Sequence, residues 1–271
     1  MPTIGVFDSG FGGLTVLKAL MERVPAADYL YFGDTARLPY GSKSSDTVAR
    51  YACEAGRFLE QRGAKLLVVA CNTATALALD KIEQATSIRV LGVINPGVER
   101  AVAASERRKV VVIGTEATIS SHAYQKALFD CKVEAREKAC PLLVPLVEEG
   151  WVDHPVTEQV AQVYLSEAFT DGFRSADVLL LGCTHYPLIK PLLRRVVPPG
   201  VQLVDSAESV AEAVRGLVAS AAGDEPQPRP ARPGGTSTRF FVTDSVTKFQ
   251  HLGALFLGGQ VTEISHVDLK E

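Results

Sequence analysis

The chain reads as an α/β protein of two similar domains, each a parallel-type sheet flanked by helices, with the active site in the cleft between them. Three observations lead there. Short apolar runs of strand length alternate with amphipathic helical patterns, which is what a parallel sheet covered by helices requires. Two of those runs end alike, residues 65–70 at Cys71-Asn72-Thr73 and residues 178–182 at Cys183-Thr184-His185, as equivalent sites in related halves would. At 271 residues there is enough chain for two domains with a core each.

The elements follow in order. A first run, 3–7, ends at Asp8-Ser9 and passes through Gly10-Phe11-Gly12-Gly13 into a helical pattern over 14–24. The run 29–32 ends at Gly33-Asp34. Over 45–59 the apolar residues Val48, Tyr51 or Ala52, Ala55 and Leu59 recur at helical spacing, and Cys53 fits that helix as a small buried side chain. The run 65–70 ends at Cys71, and Ala74-Thr75-Ala76-Leu77-Ala78-Leu79 beyond it is a strong helix former. Further strands are expected at 89–93, at 109–114 ahead of Thr115, at 178–181 and at 202–204. The Pro/Gly-rich stretch 223–235 reads as a surface loop of polyproline character. After it come a strand at 239–242, a helix at 247–256 and a strand at 261–267. Boundaries near Asn95-Pro96 and Asp205-Ser206 would make 1–95 plus 206–271 a discontinuous first domain carrying Cys71, and 96–205 a second carrying Cys183.

Composition narrows the function. With 28 Lys+Arg against 31 Asp+Glu the net charge is −3, so no basic surplus exists to neutralise phosphates, and nucleic acid is not an expected partner. No apolar stretch approaches the roughly 20 residues that span a bilayer. The sequence enters a strand pattern at Ile4 without a signal-type core, which points to a cytoplasmic protein. Five cysteines without a C-x-x-C pair argue against a disulfide framework and against a zinc site. Cys131 and Cys140 carry no chemistry-bearing pattern and read as structural.

In open parallel sheets ligands bind beyond the carboxyl ends of strands, so Asp8-Ser9, Gly33-Asp34, Cys71-Asn72-Thr73, Thr115 and Cys183-Thr184-His185 can face one crevice. The glycine-rich turn after Asp8 lacks the third glycine of a dinucleotide fingerprint and has no Gly-Lys-Ser/Thr, so a small carboxylate suits it better than a nucleotide. Cys71 precedes a helix, whose positive end lowers a thiol pKa and favours anions. Cys183 precedes Pro187, a residue suited to a first helical turn. His185, two residues from Cys183, is a proton-handling candidate. Two matched thiols on opposite walls of a cleft suit a reaction symmetric under reflection, in which one removes the α-proton of an amino acid and the other protonates the opposite face. No pyridoxal phosphate or metal signature is visible, so no cofactor is expected.

At five segments the chain resembles the glutamate racemases of the cofactor-independent aspartate/glutamate racemase superfamily. They are Gly5-Val6-Phe7-Asp8-Ser9-Gly10-Phe11-Gly12-Gly13-Leu14, Gly33-Asp34-Thr35-Ala36-Arg37-Leu38-Pro39-Tyr40-Gly41, Ala70-Cys71-Asn72-Thr73-Ala74, Val147-Glu148-Glu149-Gly150 and Leu181-Gly182-Cys183-Thr184-His185-Tyr186-Pro187-Leu188. The resemblance implies interconversion of L- and D-glutamate for bacterial peptidoglycan, with Cys71 and Cys183 as the acid/base pair. It implies that Asp8 assists Cys71, that His185 and Glu148 assist Cys183, and that Asp34 is a lesser candidate. Substrate contacts are implied at Asp8, Ser9, Tyr40, Gly41, Asn72, Thr73, Thr184 and His185, with Thr115 and Thr118 near the γ-carboxylate. A homodimer is implied, and in some members activation by a cell-wall precursor. Asn95 stands where the family often has glutamate, a departure that concerns the domain hinge. The alternatives are a racemase of aspartate or another small amino acid, a ligand-binding relative without chemistry, and a redox dithiol protein.

Overall fold

The computed structural model describes residues 2–221 and 237–269; the expected loop at 223–235 lies outside the described residues. Among the described residues the strands are β1 Thr3–Asp8, β2 Asp28–Gly33, β3 Leu66–Val69, β4 Arg89–Gly92, β5 Lys109–Gly114, β6 Glu134–Ala139, β7 Val178–Gly182, β8 Gln202–Asp205, β9 Thr238–Val242 and β10 Ile264–His266. The helices are α1 Leu14–Arg23, α2 Ser45–Gln61, α3 Asn72–Ala85, α4 Ile94–Ala104, α5 Glu116–Ser120, α6 Ala123–Asp130, α7 Leu143–Glu148, α8 Pro155–Ala168, α9 Lys190–Val196, α10 Ser206–Ala221 and α11 Val246–Leu257. One sheet runs β10-β9-β2-β1-β3-β4 and the other β6-β5-β7-β8, with the described strand pairs all parallel.

Central strands are apolar on both faces because helices cover both. Leu66-Leu67-Val68-Val69 and Val178-Leu179-Leu180-Leu181 are buried throughout. Side chains alternate between faces, so Val68 joins a core with α1 while Leu67 and Val69 join another with α2 and α3. The first of these cores continues into Leu179 and Leu181 of the second sheet, so the two lobes share buried apolar contact through α1 and α10. Val110, Val112, Leu180 and Tyr124 form a third core under α4 and α6. None of the described helices is long and apolar enough to cross a membrane.

Topology positions the site. In the first sheet the chain goes from β1 outward to β2 and then returns to β3 on the other side of β1. The second sheet repeats this, with β5 leading to β6 and then to β7 across β5. Each such reversal opens a crevice at the carboxyl ends of the adjoining strands. The first lies between the loops after β1 and β3, carrying Asp8 and Cys71; the second lies between those after β5 and β7, carrying Thr115 and Cys183.

One strand escaped the sequence reading. Glu134-Ala135-Arg136-Glu137-Lys138-Ala139 has no apolar run, yet it pairs with β5 along its full length. As an edge strand with half-exposed side chains it needs no continuous apolar face, and its charges blunt the open edge.

Candidate active site

Cys71 is the N-cap of α3, where its sulfur accepts from the backbone N–H of Ala74 at 3.4 Å and its S–H donates to Ser9 Oγ at 3.4 Å. The residue is 5% exposed. Burial, reinforced by the charge of nearby Asp8, pushes this thiol up to about 12, against the lowering from Ser9 and the helix end. Asp8 is itself raised by burial, although His185 and the Gly13 and Gly10 backbone pull it down. Its Oδ2 accepts from Gly10 N–H at 2.9 Å, and its Oδ1 has no hydrogen-bond partner among the described residues. The glycine-rich turn, expected to suit a small carboxylate, also wraps the chain's own Asp8. Gly13 leaves room for Asp8, since a β-carbon there would stand 2.9 Å from the Asp8 carboxyl carbon.

Cys183 has a different setting from Cys71. After β7 the chain bends into a short 3₁₀ turn, Tyr186–Ile189 with Pro187 in it, and α9 begins only at Lys190. The thiol therefore caps no α-helix, and its neighbour is a side chain. His185 Nδ1 lies 3.8 Å from Cys183 Sγ, and His185 Nε2 lies 3.1 Å from Glu148 Oε1 at the end of α7. Burial draws the imidazole down, but Cys183 and Glu148 together outweigh it and leave His185 raised to about 10. Burial likewise pushes Glu148 up, and the bond from His185 with the charge of Lys248 carries it below the usual carboxylate range. Phe256 of α11 meets the imidazole edge-on at 5.2 Å and holds the ring in place.

Both thiols line one cavity of about 410 Å³. Ser9, Tyr40, Gly41, Asn72, Thr73, Thr115, Glu148, Thr184 and His185 line it with them. Asp8 lies behind Cys71 and Ser9 rather than on the wall, and Thr118, fully buried, stands behind Thr73 and Thr115. The Thr73, Thr115 and Thr118 hydroxyls form a triangle with sides of 3.0, 3.1 and 2.9 Å that ties α3 to α5. Tyr40 presents its ring, because its hydroxyl donates to Asp34 Oδ2. Asp34 was expected in the crevice; it is off the cavity wall, held by Tyr40, Arg37 and Thr243. Sequence reasoning missed Phe11, Leu38, Pro39, Pro141, Val144 and Pro145, which give the cavity its apolar wall. Among the described lining residues there is no lysine or arginine, so a dicarboxylate entering here would meet hydroxyls, backbone N–H groups and the positive end of α3.

The sequence profile of the Asp/Glu/hydantoin racemase family matches residues 4–214. A glutamate racemase of Koribacter versatilis is 58% identical over 284 aligned positions, covering 99% of this chain and 98% of its own. The chain belongs to the glutamate racemases of the Asp/Glu/hydantoin racemase family. Glutamate racemase of Thermus thermophilus, solved in complex with β-chloro-D-alanine, aligns with TM-score 0.85 at 43% identity, covering 99% of this chain and 97% of that one. The Francisella tularensis enzyme in complex with D-glutamate aligns with TM-score 0.87 at 36% identity, covering 99% and 98%. Two parallel sheets flanked by helices are thus the glutamate racemase fold, and the chain is an isomerase.

Proposed function

We propose that Cys71 and Cys183 act on opposite faces of the α-carbon of glutamate, one as thiolate base and the other as thiol acid, and exchange roles when the reaction runs backwards. The observation that carries this reading is their common cavity, entered by one thiol from each of two like-built sheets. Their surroundings are unlike. Cys71, raised by burial and by Asp8, rests as a thiol, ready to donate. Cys183 stands beside an imidazole whose far nitrogen is engaged by Glu148, so His185 can take the sulfur's proton or return it.

A thiolate takes the α-proton, and the C–H electron pair remains on the α-carbon and spreads into the α-carboxylate. The opposing S–H then protonates the carbon from the other side, leaving its sulfur as thiolate. The enzyme ends in the mirror protonation state, and Asp8 on one side and His185–Glu148 on the other restore the starting one by exchange with water. Charge growing on the α-carboxylate is met by unpaired N–H groups in the first turn of α3 and by hydroxyls of Ser9 and Thr184. Thr73, Thr115 and Gly41 would receive the γ-carboxylate. A soft, desolvated thiolate suits this abstraction, and the apolar wall of Phe11, Leu38, Val144 and Pro145 keeps the site dry. No cofactor takes part in this scheme. We read the division into 1–95 plus 206–271 and 96–205 as the two lobes that close on the ligand. On the family resemblance we read the protein as a cytoplasmic homodimer making D-glutamate for peptidoglycan.

Alanine substitution of each thiol tests the scheme. Cys71→Ala and Cys183→Ala should each lose more than the ~10²–10⁴ expected of a merely helpful acid/base group. Retention of more than a few per cent of racemase activity by either contradicts it.

A further inference from the structure

Tyr124 has no place in the chemistry above, yet it touches the flanks of both thiols. It is fully buried in the first turn of α6, on the second lobe. Its hydroxyl donates to Asn72 Oδ1 at 2.6 Å, and Asn72 is the residue next to Cys71. The same carboxamide donates from Nδ2 to Ser206 Oγ at 3.4 Å, at the start of α10. The ring lies against Gly182, the residue before Cys183: a β-carbon built there would be 2.9 Å from Tyr124 Cε2. On its other side Gly97 of α4 is close, its β-carbon position being 3.7 Å from Cε1.

We propose that Tyr124 is a positioning residue that gauges the separation of the two thiols, with its ring bearing on the Cys183 strand and its hydroxyl holding the Cys71 helix through Asn72. A tyrosine suits this role because two torsions fix its length, and both are locked by the packing against Gly182 and Gly97. The Asn72 carboxamide is anchored at both ends, so the start of α3 has little freedom to drift. The proposal rests on the two-thiol reading, since only a reaction needing both sulfurs at once depends on their spacing.

Tyr124→Phe keeps the ring and removes the link. A shift of about 1 Å between reacting groups can cost on the order of 10²-fold. We expect kcat to fall ~10- to 100-fold in both directions, with KM within about threefold, because Tyr124 itself does not line the cavity and Asn72 keeps its bond to Ser206. A second readout separates gauging from fold maintenance. With the acid thiol misplaced, the carbanion waits longer, the capturing thiol trades its proton with solvent, and label enters unreacted glutamate. In D₂O the ratio of substrate deuteration to product formation should therefore rise about tenfold over the parent. Ser206→Ala, which loosens the other end of Asn72, should move the ratio the same way by less, and it serves if Tyr124→Phe does not fold. A kcat within threefold of the parent overturns the proposal, as does a lower kcat with an unchanged ratio. Failure of the two-thiol reading would show separately, in the parent protein, as original hydrogen carried into product.

Discussion

Replacing Glu148 by Gln removes one charge and little else. The amide is the same size and its oxygen can still accept from His185 Nε2, now 3.1 Å away, but as a neutral group. A hydrogen bond to a charged partner contributes roughly 1.5–3 kcal/mol, against ~1 for a neutral pair. The difference, roughly 0.5–2 kcal/mol, corresponds to about one pKa unit at 1.36 kcal/mol each. His185 is raised to about 10 in the parent, so its imidazolium is lost only as pH climbs through that value. In the variant the loss should begin about one unit lower. The sign is that of a raised group: the native contribution is full below the ordinary histidine value and disappears as pH rises through the folded one. Two assays read this. Proton NMR of the His185 ring should show its titration moved down by about a unit, and the alkaline limb of kcat should move with it. At pH 7 both proteins keep the imidazolium, so the loss in kcat should open on the alkaline side and approach about tenfold once pH passes the parent value, unequally in the L→D and D→L directions, since His185 neighbours only Cys183. An unmoved ring titration, or equal losses in both directions, would refute the assignment of Glu148 and His185 to one thiol.

Two further outcomes follow from the packing. In Gly12→Ala the new methyl would collide with Thr184 Oγ1 and stand 2.5 Å from His185 Nδ1, so His185 must move; kcat should drop on the order of 10²-fold with the circular dichroism unchanged, and retention of a fifth of parent activity would count against the His185 placement. Thr118→Val keeps the shape but removes a buried hydroxyl bonded to Thr73 and Thr115; KM for glutamate should rise roughly fivefold, in keeping with ~1 kcal/mol for one orienting hydrogen bond, and a KM within twofold of the parent would dismiss the threonine triangle as a carboxylate seat.

The sheets and the cysteine-bearing strand ends were legible because fully buried parallel strands write themselves as unbroken apolar runs, as in β3 and β7. Strand β6 was not, since an edge strand need bury only part of its surface and Glu134–Ala139 is mostly charged. The capping of α3 by Cys71 could be anticipated from the helix former that follows it. The 3₁₀ turn after Cys183 could not, because Pro187 fits the start of either kind of helix. Glu148 was reached only through family resemblance: nothing in Leu143–Glu148 marks which residue will meet His185. The Tyr124–Asn72 and Thr73–Thr118 pairs are set by how the lobes meet, which no local pattern records.

The source of the new α-hydrogen tests the central claim most directly. L-glutamate incubated with the enzyme in D₂O and stopped at low conversion is analysed by proton NMR. If one thiol takes the proton and the other supplies a solvent-derived one, D-glutamate carries deuterium at the α-carbon from the first turnover while the remaining L-glutamate stays largely unlabelled. Product that retains the original α-hydrogen, or substrate and product labelled together from the outset, would mean that a single base serves both faces and that Cys71 and Cys183 do not divide the work.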